Sequence, residues 1–95
     1  MKILALEVER AGATAADFDP LLKAEAAHLW KLQQAGILRE AFFRTDRHTA
    51  VLVFECSDLE QCRAEVSAFP LVQAGLISFE FIPLGPYDGF ARLFA

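Results

Sequence analysis

The sequence predicts an α+β fold of the ferredoxin-like βαββαβ type, in which two helices cover one face of a four-stranded antiparallel sheet. Four short segments rich in β-branched and aromatic residues alternate in the required order with two segments of helical periodicity. The chain has 95 residues, the length of one domain, and no repeat, low-complexity tract or linker divides it. We therefore interpret residues 1–95 as a single domain.

The strands are predicted from composition and alternation at residues 2–9, 37–44, 49–56 and 76–84. The second and third strands flank TDRHT, a polar turn of hairpin length, so they should pair antiparallel. Pro83 has no backbone N–H to share with a neighbouring strand, which indicates the end of the last strand or an edge position.

The first helix should begin at Asp19-Pro20, because an acceptor side chain and a proline both suit a first helical turn. Gly36 should end it, since glycine readily adopts the left-handed conformation of a helix stop. Along this helix, two sets of residues recur at helical spacing and form two neighbouring stripes. The apolar one, expected to face the core, contains Leu22, Ala26, Leu29 and Leu32, and the adjoining one contains Leu21, Glu25 and His28.

The second helix is predicted over residues 59–69, with the sequence LEQCRAEVSAF. Ser57 and Glu60 have the spacing of a capping box at its start, and Pro70 should end it. The order of the predicted elements is then βαββαβ, which places both helices on one face of the sheet.

Both faces of the predicted sheet are apolar, whereas a half-exposed sheet normally alternates apolar with polar residues. The third strand alternates Ala50, Leu52 and Phe54 with Val51 and Val53, and the fourth sets Ile77, Phe79 and Phe81 against Leu76 and Ile82. A homodimer or higher homo-oligomer would cover the face that the helices leave open. The tail at residues 85–95 repeats Phe90, Leu93 and Phe94 at helical spacing and should dock on a neighbouring subunit.

Charge and composition exclude several classes of protein. Thirteen acidic against nine basic residues give a net charge of −4, and the scattered arginines form no stripe that could bind nucleic acid. The N-terminal apolar run is too short to span a membrane or to serve as a signal peptide, so a cytoplasmic protein is expected. Cys56 and Cys62 match no zinc spacing and are interpreted as reduced core residues.

Four short runs lie within the predicted elements: LKAE at 22–25, GILREAF at 36–42, VFE at 53–55 and PL at 70–71. Through these runs, residues 20–84 resemble muconolactone isomerase and its relatives in the dimeric α/β-barrel superfamily. The resemblance implies a cofactor-free enzyme that shifts a proton within a lactone. It also implies a pocket between the sheet and the helices that a neighbouring subunit closes. Glu40 stands where the family has a histidine after its strand arginine.

The candidate catalytic residues are groups that can take or give a proton. Glu25 and His28 lie one helical turn apart and would form a coupled acid–base pair if their stripe lines a pocket. The alternative is an ordinary solvated helix face. Glu40 is the third candidate, because a charge in the middle of a strand must meet one face of the sheet.

The candidate substrate-binding residues are Arg39, Trp30 and Tyr87. An arginine fork binds a carboxylate through two hydrogen bonds, so Arg39 is the expected anchor of an anionic substrate, with a salt bridge to a glutamate as the alternative. Trp30 and Tyr87 are aromatic groups that can line a pocket. Arg44, Arg47 and His48 cluster at the hairpin turn, where solvated charges are the ordinary explanation. No metal site is expected.

The leading hypothesis is an enzyme of the muconolactone isomerase type that acts without a cofactor on a small carboxylated organic molecule at a subunit interface. One alternative is a non-catalytic dimer of the same fold that binds a small ligand or provides an assembly surface. Another is a cofactor-free monooxygenase, because the same barrel can hold an electron-rich aromatic compound near dioxygen in a dry pocket.

Overall fold

The computed structural model describes residues 1–95 and confirms the predicted α+β architecture. Two single-turn helices that the sequence did not predict, at residues 15–18 and 70–73, accompany the expected elements. The regular elements are β1 (Lys2–Glu9), α1 (Ala15–Phe18), α2 (Leu22–Gln34), β2 (Leu38–Phe43), β3 (Ala50–Glu55), α3 (Leu59–Ser67), α4 (Pro70–Gln73) and β4 (Ile77–Leu84). Two 3-10 turns cover Asp19–Leu21 and Gly89–Phe94. No helix is long and apolar enough to cross a membrane.

The four strands form one antiparallel sheet in the order β2-β3-β1-β4. β4 is an edge strand, and Pro83 lies in it opposite Ile3, as the sequence predicts. The β1–β3 ladder ends at the pair of Leu6 with Val51, whereas the β1–β4 ladder continues to the pair of Glu9 with Ile77. The end of β1 is therefore paired on one side only.

The first helical segment begins earlier than predicted. The Asp17 carboxylate accepts hydrogen bonds from the Thr14 backbone N–H at 2.9 Å and the Thr14 hydroxyl at 3.2 Å, which starts α1 at Ala15. Asp19-Pro20 then lies in the 3-10 turn that joins α1 to α2. Gly36 has a φ of 78° after the last turn of α2, so the predicted stop is confirmed.

The stripe of α2 that faces inward overlaps the predicted one only in part. Leu32 is buried and Leu29 packs against the core, as predicted, but Leu22 is 48% exposed and Ala26 is exposed. Glu25 and His28 of the adjoining stripe are half-buried. Glu25 can face inward because its Oε1 accepts a hydrogen bond from the backbone N–H of Leu71 at 3.0 Å. A polar side chain tolerates burial when a donor of this kind is present.

The cap of α3 is shifted by one residue from the predicted box. The side chain of Asp58 accepts a bond from Gln61 N at 2.8 Å, and Gln61 Oε1 accepts one from Ser57 N at 2.7 Å. α3 ends at Ser67, and Pro70 begins α4 instead of a loop. Proline suits this position because the first N–H of a helix needs no partner within it.

The core lies between the sheet and the helices, towards the end of the sheet where β1 begins. Its fully buried side chains include Ile3, Leu38, Leu52, Phe54, Cys62 and Phe69. Cys56 and Cys62 are buried free thiols, as predicted. Burial raises the pKa of Cys62 to about 12, which makes this thiol unreactive.

The opposite face of the sheet, which we call the open face, has no helix over it. Its centre is apolar and half-buried at Leu4, Leu6, Val51, Val53 and Ile82. The β4 side is more polar than predicted, because Ser78 and Glu80 share this face with Ile82. Leu76 precedes the strand and is buried instead.

The C-terminal tail extends away from the rest of the chain. Its aromatic and aliphatic side chains are exposed: Tyr87 by 69%, Phe90 by 65%, Leu93 by 76% and Phe94 by 86%. The radius of gyration is 15.4 Å, against about 12–13 Å for a compact domain of this length. The Tyr87 ring packs over Gly89, where any side chain would collide with it, and meets Phe90 edge to face.

Candidate active site

A cavity of about 580 Å³ lies between the helix-covered face of the sheet and the start of the helical layer. This volume is within the range of small-molecule sites. Its apolar lining consists of Ala15, Phe18, Leu22, Phe43, Ala50 and Leu71, and its polar lining of Glu7, Glu9, Asp19 and His48.

The cavity exists because the sheet separates at this end. Beyond the pair of Leu6 with Val51, β1 continues along β4, while β2 and β3 join through the hairpin turn at 44–49. The small side chain of Ala50 leaves space at the gap between them. The carboxylate of Glu7 lies in this gap and accepts a hydrogen bond from the Ala50 N–H at 3.2 Å.

Glu7 is half-buried on the same face of β1 as the core residues Ile3 and Ala5. Burial raises the pKa of Glu7 because it removes water from the charged form, and the nearby charge of Glu9 raises it further. The bond from Ala50 and the proximity of His48 act in the opposite direction. Glu7 is therefore a stronger base, once ionised, than an ordinary surface glutamate.

Glu25 lies behind the Leu71 wall of the cavity, on the inward stripe of α2. Burial also raises the pKa of this carboxyl, and the charge of Glu7 contributes in the same direction. The bond from Leu71 and the proximity of His28 lower it. Glu7 at the cavity and Glu25 on the inward stripe of α2 are thus two half-buried carboxyls with raised pKa values, a feature that is typical of functional sites.

The two histidines have different environments. His28 Nε2 is buried without a hydrogen-bond partner, and its ring meets Phe69 edge to face at 5.2 Å between centroids. His48 is exposed and lines the cavity, with its ring stacked on Phe43 at 4.0 Å between centroids and 22° between planes. His28 is thus part of the interior next to Glu25, and His48 belongs to the mouth of the cavity.

A second cavity of about 530 Å³ adjoins the first on the side of the hairpin and the open face. The two share Glu7, Glu9 and His48, and the rest of the second lining is Leu6, Val8, Arg44, Arg47, Thr49 and Glu80. The gap at the end of β1 is therefore accessible from both faces of the sheet.

None of the six predicted site residues lines either cavity. Arg39 occupies a β-bulge, where its Nε donates to the Gly36 carbonyl at 2.6 Å, about 13 Å along β2 from Phe43. Glu40 is exposed on the open face opposite Val53.

Neither Arg39 nor Glu40 forms a salt bridge. Trp30 is 59% exposed on α2, and Tyr87 lies in the tail. The other two predicted residues, Glu25 and His28, face inward together.

Sequence reasoning missed Glu7 as a site residue. The available signal was its position in the alternation of β1, because it shares the face of Ile3 and Ala5 and a charge there must be buried or must line a cavity. His48 was interpreted from the sequence as an ordinary solvated residue of the hairpin turn. Its contact with Phe43 and its position opposite Glu7 depend on where the β1–β3 ladder ends.

No protein-family model and no curated protein matches the chain in sequence. Among solved structures, it is similar to muconolactone isomerase with a TM-score of 0.76 and 17% identity, over 93% of this chain and 92% of that one.

It is also similar to the 5-chloro-2-hydroxyhydroquinone dehydrochlorinase TftG from Burkholderia phenoliruptrix AC1100, solved in complex with 2,5-dihydroxybenzoquinone. The TM-score is 0.74 and the identity 17%, over 94% of this chain and 98% of that one. These similarities confirm the expected fold: the chain has a ferredoxin-like α+β fold, with one four-stranded antiparallel sheet covered on one face by helices.

Proposed function

We propose that this protein is a small-molecule enzyme that transfers protons on an organic substrate bound between the sheet and α2, without a cofactor. The observation that carries the proposal is the pair of half-buried carboxyls, Glu7 and Glu25, whose pKa values are raised beside a cavity with apolar walls. Glu7 is the proposed base, and Glu25 with His28 forms a second acid–base pair behind it.

The proposed chemistry begins at a carbon that is connected to a carbonyl group through a double bond. The Glu7 carboxylate takes the proton from this carbon, and the electron pair of the broken C–H bond moves into the carbonyl to give an enolate. Return of a proton to a different carbon completes an isomerisation. The apolar walls of the cavity favour this reaction because they reduce the hydration of the carboxylate and so keep it basic.

The names of the two similar structures support this choice of chemistry. One is an isomerase, and the other removes hydrogen chloride from a chlorinated hydroquinone. An isomerisation and the removal of hydrogen chloride are both reactions that a well-placed base can promote. One fold carries many activities, so the assignment depends on the site itself.

The test is to incubate the purified protein with muconolactone and with 5-chloro-2-hydroxyhydroquinone, following the ring shift, chloride release and oxygen uptake. We expect turnover of one of them without oxygen uptake, and a decrease in kcat of about 10²–10⁴-fold for Glu7→Gln. Glu60→Gln, an exposed change on α3, is the matched control. Oxygen uptake would indicate the monooxygenase alternative, and no reaction with either compound would indicate a ligand-binding or assembly protein.

The proposal includes a homo-oligomer in which the open face pairs with a second copy. The apolar centre of that face is supplemented by exposed side chains, with Val8 51%, Phe42 55% and Leu84 42% exposed. Sedimentation should show a dimer or larger species, and replacing Val51 and Val53 by lysine should give monomers. A wild-type protein that stays monomeric at micromolar concentration would contradict this part.

We further propose that the tail at 85–95 docks on a neighbouring subunit, since four exposed apolar side chains of the tail find no cover in their own chain. In such an assembly Glu40 and Tyr87 are brought next to another subunit. Truncation after Leu84 should weaken the oligomer while leaving the circular dichroism of the sheet unchanged. A truncated protein with unchanged sedimentation would contradict the docking.

A further inference from the structure

We propose that His48 is a second proton-transfer residue, which delivers a proton to the substrate from the wall opposite Glu7. This inference deepens the proposed function and rests on it. Glu7 projects from β1 and His48 from the hairpin, and both line both cavities. A substrate in the gap is thus placed between a carboxylate and an imidazole.

The structure fixes the orientation of the imidazole. The His48 ring stacks on Phe43 with 4.0 Å between centroids and 22° between planes. Stacking leaves the ring nitrogens free at the edge, because it uses only the flat face of the ring. Phe43 is 60% exposed, so the stacked pair lies at the mouth of the cavity, where water reaches it.

The Glu7 carboxylate has one oxygen available for chemistry. Its Oε1 accepts the bond from the Ala50 N–H at 3.2 Å, and Oε2 has no hydrogen bond within the chain. One oxygen therefore holds the carboxylate in place, and the other is free to take a proton. Glu7 and His48 share the lining of both cavities, and the charge of His48 acts to lower the pKa of Glu7.

The other charged groups around the gap are less suited to give and regain a proton at neutral pH. Arg44 is held by the Asp46 carboxylate through two bonds of 2.9 Å and 2.6 Å. Arg47 also lines the second cavity, but a guanidinium stays protonated throughout the physiological range. Asp19, Glu9 and Glu80 complete the charged lining of the two cavities, and a carboxylate accepts hydrogen bonds but has no proton to give. Histidine is the side chain that exchanges a proton most readily near neutral pH.

In the proposed step Glu7 takes a proton from the carbon beyond the double bond that is conjugated with the carbonyl, so a C–H bond breaks and an O–H bond forms. The electron pair moves through the double bond into the carbonyl. Protonated His48 then gives its N–H proton to the carbon next to the carbonyl, where the electron pair of the conjugated enolate forms the new C–H bond. Glu7 afterwards loses its proton to water and His48 gains one from water, which restores both groups.

The origin of the new hydrogen distinguishes this route from transfer by Glu7 alone. An exposed imidazole exchanges its N–H with water, so wild-type product formed from muconolactone in D₂O should carry one deuterium at the newly protonated carbon. His48→Gln should lower kcat by about 10²–10⁴-fold, and its residual product should retain more substrate hydrogen. Thr45→Ala, at the hairpin and outside both cavities, is the matched control and should react like the wild type.

Two results would overturn the assignment while leaving the proposed function intact. One is a His48→Gln enzyme with kcat within threefold of the wild type. The other is wild-type product without deuterium. Absence of wild-type turnover with both muconolactone and 5-chloro-2-hydroxyhydroquinone would reject the proposed function, and the role of His48 with it. Thermal unfolding of each variant shows whether a loss of activity reflects loss of the fold.

Discussion

The two ends of the layer between the sheet and the helices are built from the same strands but differ in content. At one end β1 and β3 contribute Ile3, Leu52 and Phe54, all at most 1% exposed. At the other end the same faces contribute Glu7 and Ala50, a charge and a small side chain next to a cavity. One alternating pattern therefore supplies stability at one end and a reactive site at the other.

The largest expected difference between the two ends concerns packing. Leu52 is 1% exposed in the core, whereas Leu22 is 48% exposed at the cavity. Leu52→Ala should lower the free energy of unfolding by about 2–5 kcal/mol, because it leaves a hole in a packed core. Leu22→Ala, the same chemical change, should cost below about 1 kcal/mol. Urea unfolding of the two variants measures the change in the free energy of unfolding. Equal decreases in both variants would contradict the expected difference between the core end and the cavity end.

A smaller effect is expected from the charge of Glu25. Its folded pKa is raised above the ordinary value of 4.5, so the folded protein holds this proton more tightly than the unfolded chain does. The stabilisation is complete below pH 4.5 and is lost as the pH rises through the folded pKa.

Glu25→Gln should therefore be more stable than the wild type at pH 7, by about 0.5–1 kcal/mol given partial solvent exposure, and equally stable at pH 4. The amide oxygen of the variant can still accept the bond from Leu71. Thermal melts at both pH values test this, with Glu60→Gln as the control. A variant less stable than the wild type at pH 7 would contradict this, because it would show that the folded protein stabilises the ionised carboxylate of Glu25.

The smallest perturbation is a chemical probe that leaves the sequence unchanged. Cys56 and Cys62 lie in the core, and burial raises the pKa of both thiols. A thiol reagent should modify them at least about tenfold more slowly in the native protein than in urea, because the thiolate is the reactive form. Rapid thiol labelling in native buffer would contradict this, because it would show that the packed core around the two cysteines opens readily.

An imidazole reagent should modify exposed His48 before half-buried His28.

The strands could be predicted from the sequence to within a residue, because residue type and alternation together specify a sheet that is packed on one face. The start of the first helix could not, since the only start considered from the sequence was Asp19-Pro20, and the hydrogen bonds between Thr14 and Asp17 start the helical segment earlier. The rotation of α2 depended on a donor from Leu71, which is distant in sequence.

Glu25 and His28 could be predicted as a pair because residues three positions apart on a helix are neighbours, whatever the rest of the fold is. The meeting of Glu7 with His48 could not be predicted, because it depends on where the pairing of two strands stops. That point is set by the tertiary arrangement of the hairpin against β1. Arg39 was expected to bind substrate because of its place in a strand, but a bulge directs it towards Gly36 instead.

The hydrogen bond from Ala50 to Glu7 has a consequence for the motion of the sheet. Beyond the pair of Leu6 with Val51, this side-chain oxygen continues the contact between the two strands after their ladder has ended. Any event that occupies or neutralises the carboxylate therefore also changes how firmly the strands are joined. The amide of Ala50 thus becomes a natural reporter, whose hydrogen exchange rate follows the chemical state of Glu7.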